Sequence, residues 1–293
     1  MNKIHTSSSE IPQKLTMATF NTFGVPRSQP PPLKRYQKMC DWLQESDIDV
    51  VNLQEVYTHH QLRFLQKSLD RFPYRSVMPS VAGPKGALVT FSKLPIEREE
   101  YVSFFQTTKG VDRSSLPRFS LIKSALKGIL ISRLPTIPMT VLNVHLTANK
   151  DNDWSPENRF HPLHKAQLDT LSATIRTRLD AGEDIAVSGD FNIAQDSTLY
   201  DHFVANGGLI DAFEYSSVPT FHGEFLSEGR EPHCIDHMLI AGSDTGHRYE
   251  VAETSSIFEE KRVMENGGHH YLSDHIGLRA VLLATLSEAN FGL

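Results

Sequence analysis

The stretch Ser188-Gly-Asp-Phe-Asn192 decides how this chain is read, because it closes the run Asp184–Ser188 with an acid and an amide two residues apart. The short apolar run predicts a strand. Gly189 lets the backbone turn sharply, so Asp190 and Asn192 project together from the strand end. A plain Asx turn is the alternative account of the same residues. The arrangement recurs along the chain. Asn21 follows Met17–Phe20 and Glu55 follows Val50–Gln54, while Asn143 and His145 fall near the end of Thr140–Leu146. Asp236 and His237 open Ile235–Ile240, and Asp274 and His275 precede Ile276–Leu283. Strand termini deliver side chains to a common rim, so this distribution points to a site.

Working outward, similar runs predict strands at Leu15–Phe20, Asp49–Leu53, Ala87–Phe91, Ile129–Arg133, Thr140–Leu146, Ile235–Ile240 and Gly277–Leu283. Helical periodicity marks Leu33–Glu45, His59–Arg71 and Pro162–Leu179, the last with Leu163, Ala166, Leu168, Leu171 and Ile175 on one side. Pro26–Pro32 reads as a loop leading into the first helix. Phe104–Pro117 and Ser255–Gly268 read as long irregular stretches. Strands outnumber helices and several adjoin across turn-length gaps, which argues against a purely parallel, doubly wound sheet. Two mixed sheets with helices outside fit better. With no internal repeat and no biased linker, residues 15–286 read as a single domain between a flexible N-terminal segment, 1–14, and a C-terminal tail, 287–293.

The 293 residues carry a net charge of -6 and a pI near 6.2, so no global basic field draws a polyanion to the surface. Cys40 and Cys234 form no CxxC pattern, which indicates neither a zinc site nor a disulfide framework. Met1–Lys14 is polar and Ser-rich without an apolar core, unlike a secretory signal. No run approaches the ~20 apolar residues of a membrane span. A cytoplasmic protein is expected, or a secreted one if a native leader precedes this sequence.

Asn143 and His145 lie two apart on a strand and therefore share a face, with Leu142, Val144 and Leu146 on the other. A strand that merely turns two polar groups toward water is the alternative. His275, in Ser273-Asp-His275, has an unperturbed pKa near 6.5 that suits proton transfer at neutral pH. Asp236 could fix its tautomer and support its positive form. A hydrogen-bonded structural histidine is the competing reading. The carboxylates and amides are hard oxygen donors, without Cys or clustered His ligands, so Mg²⁺, Mn²⁺ or Ca²⁺ is the implied cation.

The ordered set Thr19-Phe-Asn21, Leu53-Gln-Glu55, Asn143-Val-His-Leu146, Gly189-Asp-Phe-Asn192, Ile235-Asp-His237 and Ser273-Asp-His275 resembles the endonuclease/exonuclease/phosphatase, or DNase I-like, superfamily. The resemblance implies an α/β fold: a four-layered sandwich of two packed mixed sheets flanked by helices. It implies a metal-dependent phosphodiesterase with Mg²⁺ held by Glu55, assisted by Asn21 and Asp274. It further implies that His275 is the general base and Asp236 its orienting carboxylate. His145 would stabilise the phosphoryl oxygens, and Asp190 and Asn192 would place the nucleophilic water and the phosphate. His237 receives no role.

Within that superfamily, Ala125-Leu-Lys-Gly-Ile-Leu130 resembles the Lys-Gly strand of neutral sphingomyelinases, and His145-Leu-Thr-Ala148 resembles the stretch after their first catalytic histidine. A simple turn with a solvated lysine is the alternative for Lys127-Gly128. A phospholipid headgroup ester is the favoured substrate, met by peripheral membrane contact of a monomer. Tyr101, Phe104, Phe105 and Trp154 are the candidate membrane aromatics. A nuclease is the runner-up and would need a basic groove, to which Lys34-Arg35, Lys261-Arg262 and Arg113 could contribute. A phosphatase of a small soluble ester and a catalytically silent binding module complete the alternatives.

Overall fold

The computed structural model describes residues 13–106, 110–111, 114–137, 139–214, 218–243, 247–265 and 267–286. In chain order the first half runs β1 (Gln13–Asn21), α1 (Pro32–Glu45), β2 (Val50–Gln54), α2 (His59–Ser68), β3 (Tyr74–Ser76), β4 (Val89–Ser92), β5 (Arg98–Ser103), α3 (Arg118–Leu126) and β6 (Gly128–Leu134). The second half runs β7 (Met139–His145), α4 (His161–Asp180), β8 (Asp184–Asp190), α5 (Thr198–Gly207), β9 (Ile210–Asp211), β10 (Asp236–Ala241), β11 (His247–Ile257), β12 (Arg262–Val263), β13 (His269–His270) and β14 (Gly277–Leu286). Two six-stranded sheets form, ordered β11-β14-β1-β2-β4-β3 and β5-β6-β7-β8-β10-β9. Both are mixed: β1 runs parallel to β2 and β7 to β8, and the remaining neighbours in the two sheets are antiparallel.

Four layers follow from where alternate side chains go. Leu15, Met17 and Val50 of one sheet meet Met139, Val141, Ala186, Met238 and Ile240 of the other, which makes the core between the sheets. The opposite faces carry Ala18, Phe20, Val51 and Leu53 toward Tyr36, Met39 and Leu43 of α1 and Leu62 and Leu65 of α2. On the far side Leu142, Val144, Ile185 and Val187 pack against Leu168, Leu171 and Ile175 of α4 and Phe203 of α5. Both faces of the central strands are buried, which is why they read as continuous apolar runs.

Several elements differ from the sequence reading. β1 begins at Gln13, so the last two residues of the expected N-terminal segment pair with β14, Gln13 opposite Ala284 and Lys14 opposite Leu283. Residues 1–12 and the expected tail, 287–293, lie outside the described residues. The stretch Ser255–Gly268 is not wholly irregular: Ser255–Ile257 completes β11, and β12 falls within it. Helices α3 and α5, nine and ten residues long, were not among the expected helices. Yet α5 has a readable start and stop, with the Ser197 side chain accepting from the Tyr200 amide and Gly208 in the left-handed conformation at φ 58°. Helix α2 is fixed by a capping box in which Thr58 and Gln61 exchange side-chain and backbone bonds.

Candidate active site

The strands that form the inter-sheet core change character along their length. On β1 the inward positions pass from Leu15 and Met17 through Thr19 to Asn21. On β7 they pass from Met139 and Val141 through Asn143 to His145, and on β8 from Ala186 through Ser188 to Asp190. β10 runs the other way, from Ile240 and Met238 to Asp236. The period-two rule therefore carries one face of each strand from apolar core to polar rim at the same end of the sandwich.

Between core and rim lies a buried polar layer that ties the sheets together. Asn52 donates to Ser188 Oγ at 2.9 Å, and Gln54 donates to Asn143 Oδ1 at 2.9 Å. Asn143 itself donates to the carbonyls of Leu53 and Val89, at 3.2 and 3.0 Å. Asn143 and His145 do share a face, but that face meets the other sheet and not water. A buried amide of this kind is tolerable only because its donors and acceptors are met.

At the rim, the Asp236 carboxylate binds His275 Nδ1 at 2.8 Å. His275 Nε2 lies 3.4 Å from Asn21 Nδ2 and 3.7 Å from Asp190 Oδ2. Asn21 donates to Asp190 Oδ2 at 2.9 Å, and His145 Nε2 stands 3.2 Å from the same oxygen. The Asn192 amide donates to Asp190 Oδ1 at 2.9 Å. Close packing of β7 and β8 needs Gly189: with φ at 150°, a Cβ there would lie 2.0 Å from the Val144 carbonyl oxygen. Glu55 leaves β2 at φ 63° and faces the cavity, 4.0 Å from His145 Nε2.

A cavity of about 270 Å³ opens over these groups, lined by Glu55, His145, Asp190, Asn192, Asp274 and His275 among others. Asn21 and Asp236 stand just behind that lining, bonded to the residues that form it. The structure thus brings together all eight residues singled out from the sequence. His237, given no role, is buried and engages the Ile193 carbonyl at 2.8 Å.

Charge is distributed unequally across the site. Burial lowers the affinity of His275 for a proton, but the Asp236 and Asp190 carboxylates outweigh it and raise its pKa well above the ordinary imidazole value. Burial would lift Asp190, yet His275, His145 and Lys127 hold it well below the usual carboxylate range. His145 is pushed down by burial and by Lys127, which favours the neutral ring. Asp274 is raised to about 6 by burial, with the Glu55 charge adding to the shift.

Two sets of oxygen and nitrogen donors could hold a cation. Asp190, Asp236 and His275 each offer an atom within 4.8 Å of the others, all buried. Those atoms are already engaged with one another and with Asn21 and His145, which makes them a proton-sharing network. Glu55 and Asp274 are two carboxylates on one cavity that repel each other, a pair whose charge a divalent ion would offset. Asn21 Oδ1 already accepts the Phe23 amide at 3.0 Å, so it has one lone pair left for a cation.

Sequence reasoning left several lining residues without a role. Lys127, at the junction of α3 and β6, is buried and lowered to about 8 by that burial, while Glu55 and Asp190 pull the other way. Tyr57 is raised by burial and bonded to Glu55, and stays a hydroxyl donor. Trp154 packs against His233 with ring centroids 4.7 Å apart and donates from Nε1 to the Asn192 carbonyl at 2.9 Å, while Phe221 packs against His275 at 5.0 Å. Of these, Lys127 had been singled out through the Lys-Gly stretch quoted above and Trp154 only as a membrane aromatic. Of the expected membrane aromatics, Phe104 is fully buried, Trp154 lines the cavity and Tyr101 is half-buried, while Phe105 is 42% exposed.

The pattern describing the "Endonuclease/Exonuclease/phosphatase family" matches residues 18–275. The chain belongs to this family. Its members are hydrolases acting on phosphoesters. A relative from Drosophila melanogaster, described as "Putative neutral sphingomyelinase", is 25% identical over 284 residues, covering 92% of this chain and 60% of that protein. The chain thus spans only about three-fifths of that relative's length. Among solved family folds, a D. rerio TDP2 complexed with single-strand DNA product superposes at a TM-score of 0.68 with 16% identity, covering 92% of this chain and 98% of the other. Sphingomyelinase C from Streptomyces griseocarneus superposes at 0.62 with 20% identity, covering 93% and 100%. These likenesses establish the four-layered fold. Among the described residues no helix is long and apolar enough to cross a membrane.

Proposed function

We propose that this chain is a divalent-metal-dependent phosphodiesterase in which His275 activates water, with a phospholipid headgroup ester as substrate. The observation that carries the reading is the Asp236–His275 pair at 2.8 Å, set at the rim of a cavity that also holds Glu55, Asp274 and Lys127. Asp236 fixes the ring through Nδ1, and Nε2 takes a proton from water once the ring is neutral, which the Asp236 and Asp190 carboxylates defer to higher pH in the metal-free protein. Asp190 lies beside that nitrogen and, with Asn192 on the same cavity, orients the water and the phosphate. His145 in its neutral form donates from Nε2, toward Asp190 in the free protein and toward a phosphoryl oxygen once substrate arrives. Lys127 supplies a positive charge to the phosphate from a desolvated position, where it counts for more than in water. Glu55 and Asp274, with the free lone pair of Asn21, would hold Mg²⁺ or a similar cation. Such an ion polarises a phosphoryl oxygen and offsets developing negative charge.

The phospholipid is favoured over nucleic acid by the fate of the basic residues. Arg35 is buried and spends its guanidinium on the carbonyls of Thr22, Leu272, Phe23 and Pro30. Lys34 pairs with Glu265 at 3.3 Å and Lys261 with Glu224 at 2.8 Å. Arg113 lies outside the described residues. Of the residues named for a polyanion groove, Lys34, Arg35 and Lys261 are thus committed to other partners, while Arg262 is exposed. The rings of Trp154 and Phe221, both on the cavity, suit a quaternary ammonium headgroup. The test is Mg²⁺-dependent hydrolysis of sphingomyelin, phosphatidylcholine, plasmid DNA, an abasic duplex and inositol phosphates. Turnover of the choline lipids is expected; turnover of the DNA substrates alone would replace this reading with the nuclease.

A further inference from the structure

Beside the catalytic cavity lies a second, of about 210 Å³. The two share Tyr57, Lys123 and Lys127, so Lys127 stands on the wall between them. The second is lined chiefly by apolar surface, from Ala82, Pro84, Ala87, Tyr101, Ala125 and Leu126. Its floor is the Tyr101 ring, which lies so close to Gly86 and Gly128 that a Cβ on either would fall within 2.7 Å of the phenol oxygen. That oxygen donates to the Leu126 carbonyl at 3.0 Å, which joins the floor to the end of α3. None of this is needed to hold a phosphate, a cation or a nucleophilic water.

Three aliphatic side chains at or beside the second cavity are exposed among the described residues. Leu126 lines it and is 65% exposed; Val81, between the lining residues Ser80 and Ala82, is wholly exposed; Ile122, next to Lys123, is 63% exposed. Single exposed aliphatics are ordinary, but Ile122 and Leu126 lie four apart on one face of α3, and Val81 is flanked in sequence by two lining residues. Lys85 and Lys123 also line the hollow, in a chain whose net charge is -6. Aliphatic side chains ringed by lysines match the boundary of a phospholipid layer, where acyl chains meet phosphates.

We propose that the second cavity takes the apolar chain of the substrate and that Val81, Ile122 and Leu126 seat this face in a phospholipid surface. The proposal rests on the phospholipid reading above and extends it, because it assigns the leaving side of the ester to the Tyr57–Lys127 wall. The substrate's phosphate then stays in the first cavity while its apolar part never enters water. The docking residues are aliphatic and lie on loop 77–84 and α3, in place of the aromatics expected from the sequence.

Two catalysis-independent measurements decide it. The first is flotation of the protein with vesicles of phosphatidylcholine and phosphatidylserine. Wild type should float, and Val81→Asp/Ile122→Asp should bind at least about tenfold more weakly, since two aliphatic side chains can no longer be buried. The second is calorimetric binding of dodecylphosphocholine below its micelle concentration. Ala125→Trp, which fills the cavity, should bind it at least about tenfold more weakly yet float like wild type. Unchanged melting temperatures and an unchanged rate on bis(4-nitrophenyl) phosphate serve as the controls for folding and for the catalytic cavity. Wild type that does not float, a double variant that floats equally well, or dodecylphosphocholine bound equally by Ala125→Trp would overturn the proposal. If wild type floats and binds the detergent but hydrolyses no lipid, the docking face stands and the substrate reading fails.

Discussion

Lys127 shows how a single side chain acquires a function from its surroundings. A solvated lysine keeps its proton far above neutral pH, but burial lowers this one to about 8 against the opposing pull of Glu55 and Asp190. The charged form is the one that attracts phosphate, so it is present below that value and lost as pH rises through it. We expect kcat/KM to fall along an alkaline limb near pH 8, and Lys127→Arg to remove the limb because a guanidinium stays charged. Lys127→Met should lower kcat/KM at neutral pH by roughly 10²-fold, as for other donors aimed at a developing oxyanion. A profile whose alkaline limb is the same in wild type and Lys127→Arg would remove Lys127 from the chemistry. The sequence contained the Lys-Gly pair but not its burial, which arises only when β6 sits beside β7 and brings Gly128 opposite His145. The eight rim residues were legible because each stands at an end of an apolar run within an ordered set of motifs: Asn21, Glu55, His145, Asp190 and Asn192 close one, and Asp236, Asp274 and His275 open one. Lys127 precedes one and follows an unrecognised helix, and nothing local separates it from a solvated lysine.

At the scale of elements, legibility followed burial on both faces. The central strands β1, β2, β7, β8 and β10 are covered by the other sheet within and by helices without, and their apolar runs announced them. Edge strands did not: Arg98–Ser103 carries two glutamates and an arginine because much of it meets solvent. Helix α3 has exposed Ile122 and Leu126 where an ordinary surface helix would be polar, so its pattern matched no template. The tight junction of β7 and β8 yields a prediction. Gly189→Ala would drive a Cβ into the Val144 carbonyl, 2.0 Å away, at a backbone angle that L-residues avoid. The strands must separate there, at a cost of about 2–4 kcal/mol. Thermal unfolding should show the loss, and activity should fall further than the folded fraction does, since Asp190 is the next residue. A variant as stable and active as wild type would mean that the close approach of the two strands does not position the site.

For the whole molecule, the rim is a place where stability is given up for a site. Asp274 is raised to about 6 by burial and by Glu55. A carboxyl lifted in the folded state holds a proton that the unfolded chain releases earlier, so stability falls as pH rises from about 4 to about 6 and stays lower above it. At neutral pH this costs on the order of 3 kcal/mol. Asp274→Asn should therefore raise the melting temperature of the metal-free protein at neutral pH. Mg²⁺ should raise it in wild type and much less in Asp274→Asn or Glu55→Gln. Equal stabilisation of all three by Mg²⁺ would place the ion elsewhere. The central claim is that one proton transfer, through the Asp236–His275 pair, drives hydrolysis. The most direct test measures kcat per folded molecule for His275→Ala, Asp236→Asn and the double variant, with Mg²⁺ and the phosphodiester that wild type turns over best. Each single variant should lose at least about 10²-fold, and the double variant little more than His275→Ala alone, because both residues serve one step. Full specific activity in folded His275→Ala, or losses that add across the double variant, would contradict it.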